Sequence, residues 1–129
     1  MSASQNNLTL TLNQQDSEGV NIVNRTIGAI SYDGVAGEMH NGILTGTSQV
    51  TLDLPTANVL QFYIKNTHAT GVITLVGTVQ GGASQTIAKI QPGGVFVNWC
   101  ASTSATAGYT DLKLTASIAN TTFEMYLGG

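Results

Sequence analysis

The feature that most restricts what this chain can become is an alternation of period two, in which polar residues separate aliphatic ones. Leu8, Leu10 and Leu12 alternate with Thr9 and Thr11, and Val50, Leu52 and Leu54 alternate with Thr51 and Asp53. Leu60, Phe62 and Ile64 are separated by Gln61 and Tyr63; Leu112, Leu114, Ala116 and Ile118 by Lys113, Thr115 and Ser117; Phe123, Met125 and Leu127 by Glu124 and Tyr126. Successive side chains of a β-strand point to opposite faces, so each run reads as a strand with one face buried. No segment sustains a helical period, and the frequent β-branched residues and glycines lower helix propensity.

Further strands fall between these runs. Residues 20–27 form a candidate in which Val23 breaks phase with Ile22, a disturbance that a bulge or a crossing between sheets explains. Residues 72–79 are expected to point Ile73, Leu75 and Val79 inward, with Val72 and Val76 on the opposite face. Residues 84–90 and 95–100 complete the set. Gln80-Gly81-Gly82 and Gln91-Pro92-Gly93-Gly94 read as turns, and Pro55 ends its run because it has no N–H to give a ladder. The pattern predicts an all-β protein: a single β-sandwich domain of about eight or nine short antiparallel strands over residues 8–129. Jelly-roll and Ig-like connectivity both satisfy it, since local pattern does not encode strand order. Residues 28–46 hold five glycines and read as a long loop or a pair of short edge strands; residues 1–7, polar and uncharged, read as a flexible N-terminal arm. At 13.4 kDa a chain buries about two thirds of its extended surface, enough for a core without metals or disulfides.

Charge narrows the function classes. Only 9% of residues are charged and the net charge is −3. Arg25, Lys65, Lys89 and Lys113 are too scattered to face a phosphate backbone, so nucleic acid is not an expected partner. No apolar run approaches the roughly 20 residues that span a bilayer, and no membrane partner is expected. The N-terminal residues lack the basic and apolar blocks of a signal peptide, and Cys100 is the only cysteine. The expectation is a chain made and folded in a reducing cytoplasm.

No reaction is legible in the residues, and neither catalytic residues nor a cofactor are expected. Glu38 and His40 fall on one side of an extended segment, as two metal ligands would, but zinc takes three or four and no third lies nearby in sequence. Cys100 ends a strand with no base that the sequence can supply, and reads as a buried small residue. Gly-rich stretches lack the Lys-Ser/Thr of a phosphate loop, and the G-x-S-x-G nucleophile turn is absent. Tyr32, Tyr63, Tyr109, Tyr126 and Trp99 are able to stack on sugars or bases, but aromatics make up only 6% of the chain and default to core packing or interface burial; Tyr32 and Tyr109 would suit a sugar if they converged. A neutral polar surface with exposed sheet edges favours association, since little charge keeps copies apart and few ions need desolvation.

The second half carries a resemblance. The segments Leu60-Gln61-Phe62-Tyr63-Ile64-Lys65-Asn66-Thr67, Gly71-Val72-Ile73-Thr74-Leu75-Val76-Gly77 and Ile87-Ala88-Lys89-Ile90-Gln91-Pro92-Gly93-Gly94-Val95-Phe96 belong to it. So do Gly108-Tyr109-Thr110 and Phe123-Glu124-Met125-Tyr126-Leu127-Gly128-Gly129. Together they resemble the small β-sandwich proteins of tailed-bacteriophage virions, in particular capsid decoration (cement) proteins. The resemblance implies a non-enzymatic structural protein on the capsid surface that bridges neighbouring subunits of the major capsid protein. It also implies a homo-oligomer, with a trimer favoured. Tyr32, Met39, His40 and Tyr109 are the candidate interface residues. A tail, baseplate or fibre component, or a carbohydrate-binding adhesin, is the alternative.

Overall fold

The computed structural model describes residues 4–34, 37–99 and 108–128; the side chains of residues 4–7, 22–34 and 99 lie outside that description. Ten strands occur among the described residues: β1 (Ser4–Gln15), β2 (Asn21–Gly34), β3 (Gly37–Leu44), β4 (Val50–Thr51), β5 (Gln61–Asn66), β6 (Ile73–Val79), β7 (Ser84–Ile90), β8 (Val95–Trp99), β9 (Tyr109–Ala116) and β10 (Thr121–Gly128). All ladders are antiparallel. The protein is all-β, and β3 to β10 build a sandwich of two four-stranded sheets ordered β3-β10-β5-β8 and β4-β9-β6-β7. Within the sandwich, among the described residues, only β6 and β7 are successive strands of one sheet; every other connection from β3 onward crosses to the opposite sheet. That order is the jelly roll, so it decides between the two connectivities that the sequence left open.

The alternation explains which face each strand buries. Phe62, Ile64, Phe123, Met125 and Leu127 from one sheet meet Ile73, Leu75, Leu112, Leu114 and Ala116 from the other, all buried. Tyr109 sets its ring edge-on to Phe62, with centroids 5.5 Å apart at 83°, an arrangement that the ring quadrupoles favour. One buried amide ties the end of the core together. Asn66 Nδ2 donates to the carbonyls of Gly71 (2.7 Å) and Ile90 (3.0 Å), while its Oδ1 accepts from the His68 N–H (3.0 Å). The turn 91–94 forms as its residues dictate. Pro92 presets one dihedral, Gly93 takes φ +76°, and the Gly94 N–H closes on the Gln91 carbonyl at 2.8 Å.

Four expectations change. Val79 is exposed, because a register shift between Thr78 and Val79 breaks the phase at the strand end. Ile118 is exposed, because the ladder of β9 stops at Ala116. Part of the arm placed at residues 1–7 is strand: β1 begins at Ser4, opposite Gly34, because backbone pairing needs no apolar side chain. The sandwich does not begin at residue 8. Instead β1 and β2 form a separate two-stranded sheet, and the leucines read as half-buried stand open, Leu10 38% and Leu12 61% exposed. The phase disturbance at Ile22 and Val23 is a bulge, since Gln14 pairs with Val23 and Gln15 with Asn21. The glycine-rich stretch 28–46 supplies the end of β2 and the edge strand β3. Cys100 and residues 101–107 lie outside the described residues.

Candidate functional site

The two outer faces of the sandwich differ in chemistry. On the β4-β9-β6-β7 sheet the outward positions of the two central strands are Thr74, Val76 and Thr78 on β6 and Asp111, Lys113 and Thr115 on β9, with Asp111 and Lys113 paired at 3.4 Å. The β3-β10-β5-β8 sheet shows a different surface. Its register puts Met39 opposite Tyr126, Tyr126 opposite Tyr63, and Tyr63 opposite Val97, so these four cross the outer face in one row. The next outward row is Asn41, Glu124, Lys65 and Val95, with Ile43 one row further along β3; Met39, Ile43 and Val95 are 60%, 51% and 58% exposed. These exposed apolar side chains stand on the two edge strands, β3 and β8, with the tyrosines, Glu124 and Lys65 on the central strands between them, a mixed apolar and polar face of the kind that serves as a contact surface.

Two details hold this face in shape. Gly37 and Gly128 pair across β3 and β10, and a Cβ on Gly37 would overlap the Tyr126 hydroxyl. The phenol ring therefore lies down over the two glycines, and its partial burial raises the Tyr126 pKa above its ordinary value. Beside it the Tyr63 hydroxyl donates to Glu124 Oε1 at 2.7 Å, with Met39 Sδ at 3.7 Å. That hydrogen bond, then burial, then the carboxylate charge push the Tyr63 pKa up to about 12. The result is two adjacent aromatic rings, one carboxylate and a thioether on a flat sheet.

The expected site residues are dispersed. Met39 belongs to the outer face just described. His40, the next residue, points the other way, opposite Met125 in register on the uncovered margin of β3. Its Nε2 lies 2.8 Å from Glu38 Oε2. The period-two reading thus brings Glu38 and His40 together, and among the described residues no group of three metal-binding side chains forms. Tyr109 packs on Phe62 and exchanges two backbone hydrogen bonds of 2.9 Å with Val59, a position in the core wall. Tyr32 lies on β2 opposite Asn6, and its side chain is outside the described residues. Sequence reasoning named Tyr63 and Tyr126 among the aromatics able to stack on a sugar or base but did not pair them or select Glu124; their positions on polar phases of β5 and β10 were visible, but their adjacency depends on β10 seating beside β5. A recess of about 290 Å³ bordered by Val79, Gln85, Thr86, Ile87 and Tyr109 opens at one end of the sandwich and has no charged side chain in its lining.

No family model, curated protein or solved structure matches this chain.

Proposed function

We propose that the protein is a non-enzymatic structural component of a tailed-phage virion that decorates and cements the capsid surface. The observation that carries the reading is the outward-facing row of exposed Met39 and half-buried Tyr126, Tyr63 and Val97, set against a threonine-rich opposite face. A jelly roll with one adhesive face suits a plate laid on a shell, and viral capsid proteins use this architecture, an analogy at the level of fold. The partner is the major capsid protein, and the chain acts as a homo-oligomer, with a trimer favoured. Binding the assembled shell and not its separated subunits stabilises the shell by mass action. Several copies joined together raise the effective concentration of each further contact. The test compares heat-induced genome release from particles carrying the protein, lacking it, or carrying a Met39→Glu/Ile43→Glu variant. The expected result is a lower release temperature for the last two. Equal release temperatures for all three would overturn the reading.

A second reading rests on the Tyr63–Tyr126 pair beside Glu124. Two adjacent rings with a hydrogen-bonding carboxylate are the groups a carbohydrate stacks on and binds. In this reading the chain is an adhesin or a tail component. A glycan array with wild type and Tyr126→Ala separates it: binding lost in the variant supports it, and an array without hits removes it.

A further inference from the structure

We infer that β1 is a pairing edge for a second copy of this chain, joined antiparallel about a two-fold axis with Leu10 at its centre. The hairpin β1–β2 pairs with no other strand among the described residues, and Leu10 and Leu12 are open to solvent. A lone two-stranded hairpin is marginal in water, and a third strand or a cover is what makes one stable. The two free edges of this hairpin are not equivalent. Proteins guard strand edges with charge, proline or bulges. Strand β2 carries Arg25 and Asp33, and both bulges of the ladder place their extra residues on it: Gly28 and Ala29 stand against Thr9, and Ile22 is additional near Gln14 and Gln15. Strand β1, Ser-Gln-Asn-Asn-Leu-Thr-Leu-Thr-Leu-Asn-Gln-Gln, has no charge, no proline and no extra residue. It is the unguarded edge.

The occupant follows from the same residues. An uncharged strand offers no complement to a charged partner, whereas it is complementary to itself. Register then selects one arrangement. A slip of one residue moves every leucine to the other face. With Leu10 opposite Leu10 of the second copy, Leu8 meets Leu12 in both directions, and six leucines share one face of a four-stranded sheet. The adjacent registers set leucine against threonine. Residues 5–15 pair in this arrangement, a span of about 37 Å at about 3.4 Å per residue. A strip of that length and about 10 Å high covers about 370 Å² per partner, below the roughly 800 Å² of a standard interface. The dimer is therefore of the weak, concentration-dependent class, suited to linking units already held near one another.

Disulfide trapping reads this geometry directly, even for a weak contact. In a Cys100→Ser background, Leu10→Cys places two thiols on the axis, where opposed strands bring Cα atoms to about 4.5–5.5 Å, within disulfide reach. Asn13→Cys places them six residues out of register, about 20 Å apart. The expected result is rapid covalent dimer from Leu10→Cys and little from Asn13→Cys, with unchanged circular dichroism in both. In sedimentation, wild type shows a concentration-dependent association step that Leu10→Lys abolishes, whatever other assembly the chain makes. Equal crosslinking at both positions, crosslinking at neither, or a strictly monomeric wild type would overturn the inference. All these readouts use the chain alone, so they succeed or fail independently of the virion reading.

Discussion

Asn66 is the most informative residue to perturb. Its amide supplies one donor group to two carbonyls, on Gly71 and Ile90, and accepts from the His68 N–H. Its backbone also receives the Gly93 N–H and donates to the Gly94 carbonyl, each at 2.9 Å. Asn66→Ala leaves both side-chain-bound carbonyls without that donor in a buried place. Each such orphan costs about 1–3 kcal/mol, so the expected loss for the two is about 2–6 kcal/mol. That is a large part of the roughly 5–15 kcal/mol of a typical domain. Unfolding entropy for a chain of this length makes 1 kcal/mol worth about 4 °C, so the midpoint should fall by about 8–24 °C in calorimetry. Asn66→Asp sharpens the test at nearly constant volume. It keeps the acceptor for His68 but turns a carboxylate oxygen toward two carbonyl oxygens, so at neutral pH it should be less stable than Asn66→Ala. Burial and this repulsion raise the folded-state pKa of the new carboxyl above its ordinary value of about 3.9. Stability is then recovered as pH falls through that raised value, because the protonated group regains a donor. Urea titrations from neutral pH down to about pH 4 follow the recovery. An Asn66→Asp variant as stable as Asn66→Ala at neutral pH, or indifferent to acid, would refute the assignment of the amide as a donor.

Other outcomes follow from the same structure. Phenolate absorbance should show Tyr63 titrating near pH 12, and Glu124→Gln should bring it back toward 10. Because the folded pKa is raised, the stability linked to Tyr63 is fully present below about pH 10, the ordinary tyrosine value, and is lost as pH rises from there to about 12, where the folded group ionises. Gly71→Ala should cost about 1–3 kcal/mol in chemical denaturation, since a Cβ there meets the Thr121 hydroxyl and the His68 ring inside the structure. Leu75→Ala, in the centre of the core, should cost about 2–5 kcal/mol, whereas Leu12→Ser, on the open hairpin, should change the sandwich by no more than about 0.5 kcal/mol.

Period two located the strands well because it is a local property. The phases of β5, β9 and β10 could be read residue by residue, and the Glu38–His40 pair came from the same rule. The order of strands was not legible, because Phe123 meets Phe62's sheet through a ladder that spans some sixty residues of sequence, and nothing at either position names the other. For the same reason the Tyr63–Glu124 hydrogen bond escaped detection. The leucines of β1 show a different limit. Alternation states which side chains share a face, yet it does not state whether anything covers that face, and here Leu10 and Leu12 remain open. Val79 and Ile118 show that a face is kept only while the ladder runs unbroken.

The placement of β10 sets a timetable for folding. It lies between β3 and β5, and its eight residues pair with β3 from Thr121 opposite Leu44 to Gly128 opposite Gly37. A chain emerging from the ribosome therefore makes both flanking strands long before the piece that joins them, and the half-built sheet holds an empty slot until residue 128 has been synthesised. Nascent chains stalled before Thr121 should stay protease-sensitive and stick to chaperones, and release of β10 should close the sandwich in one step.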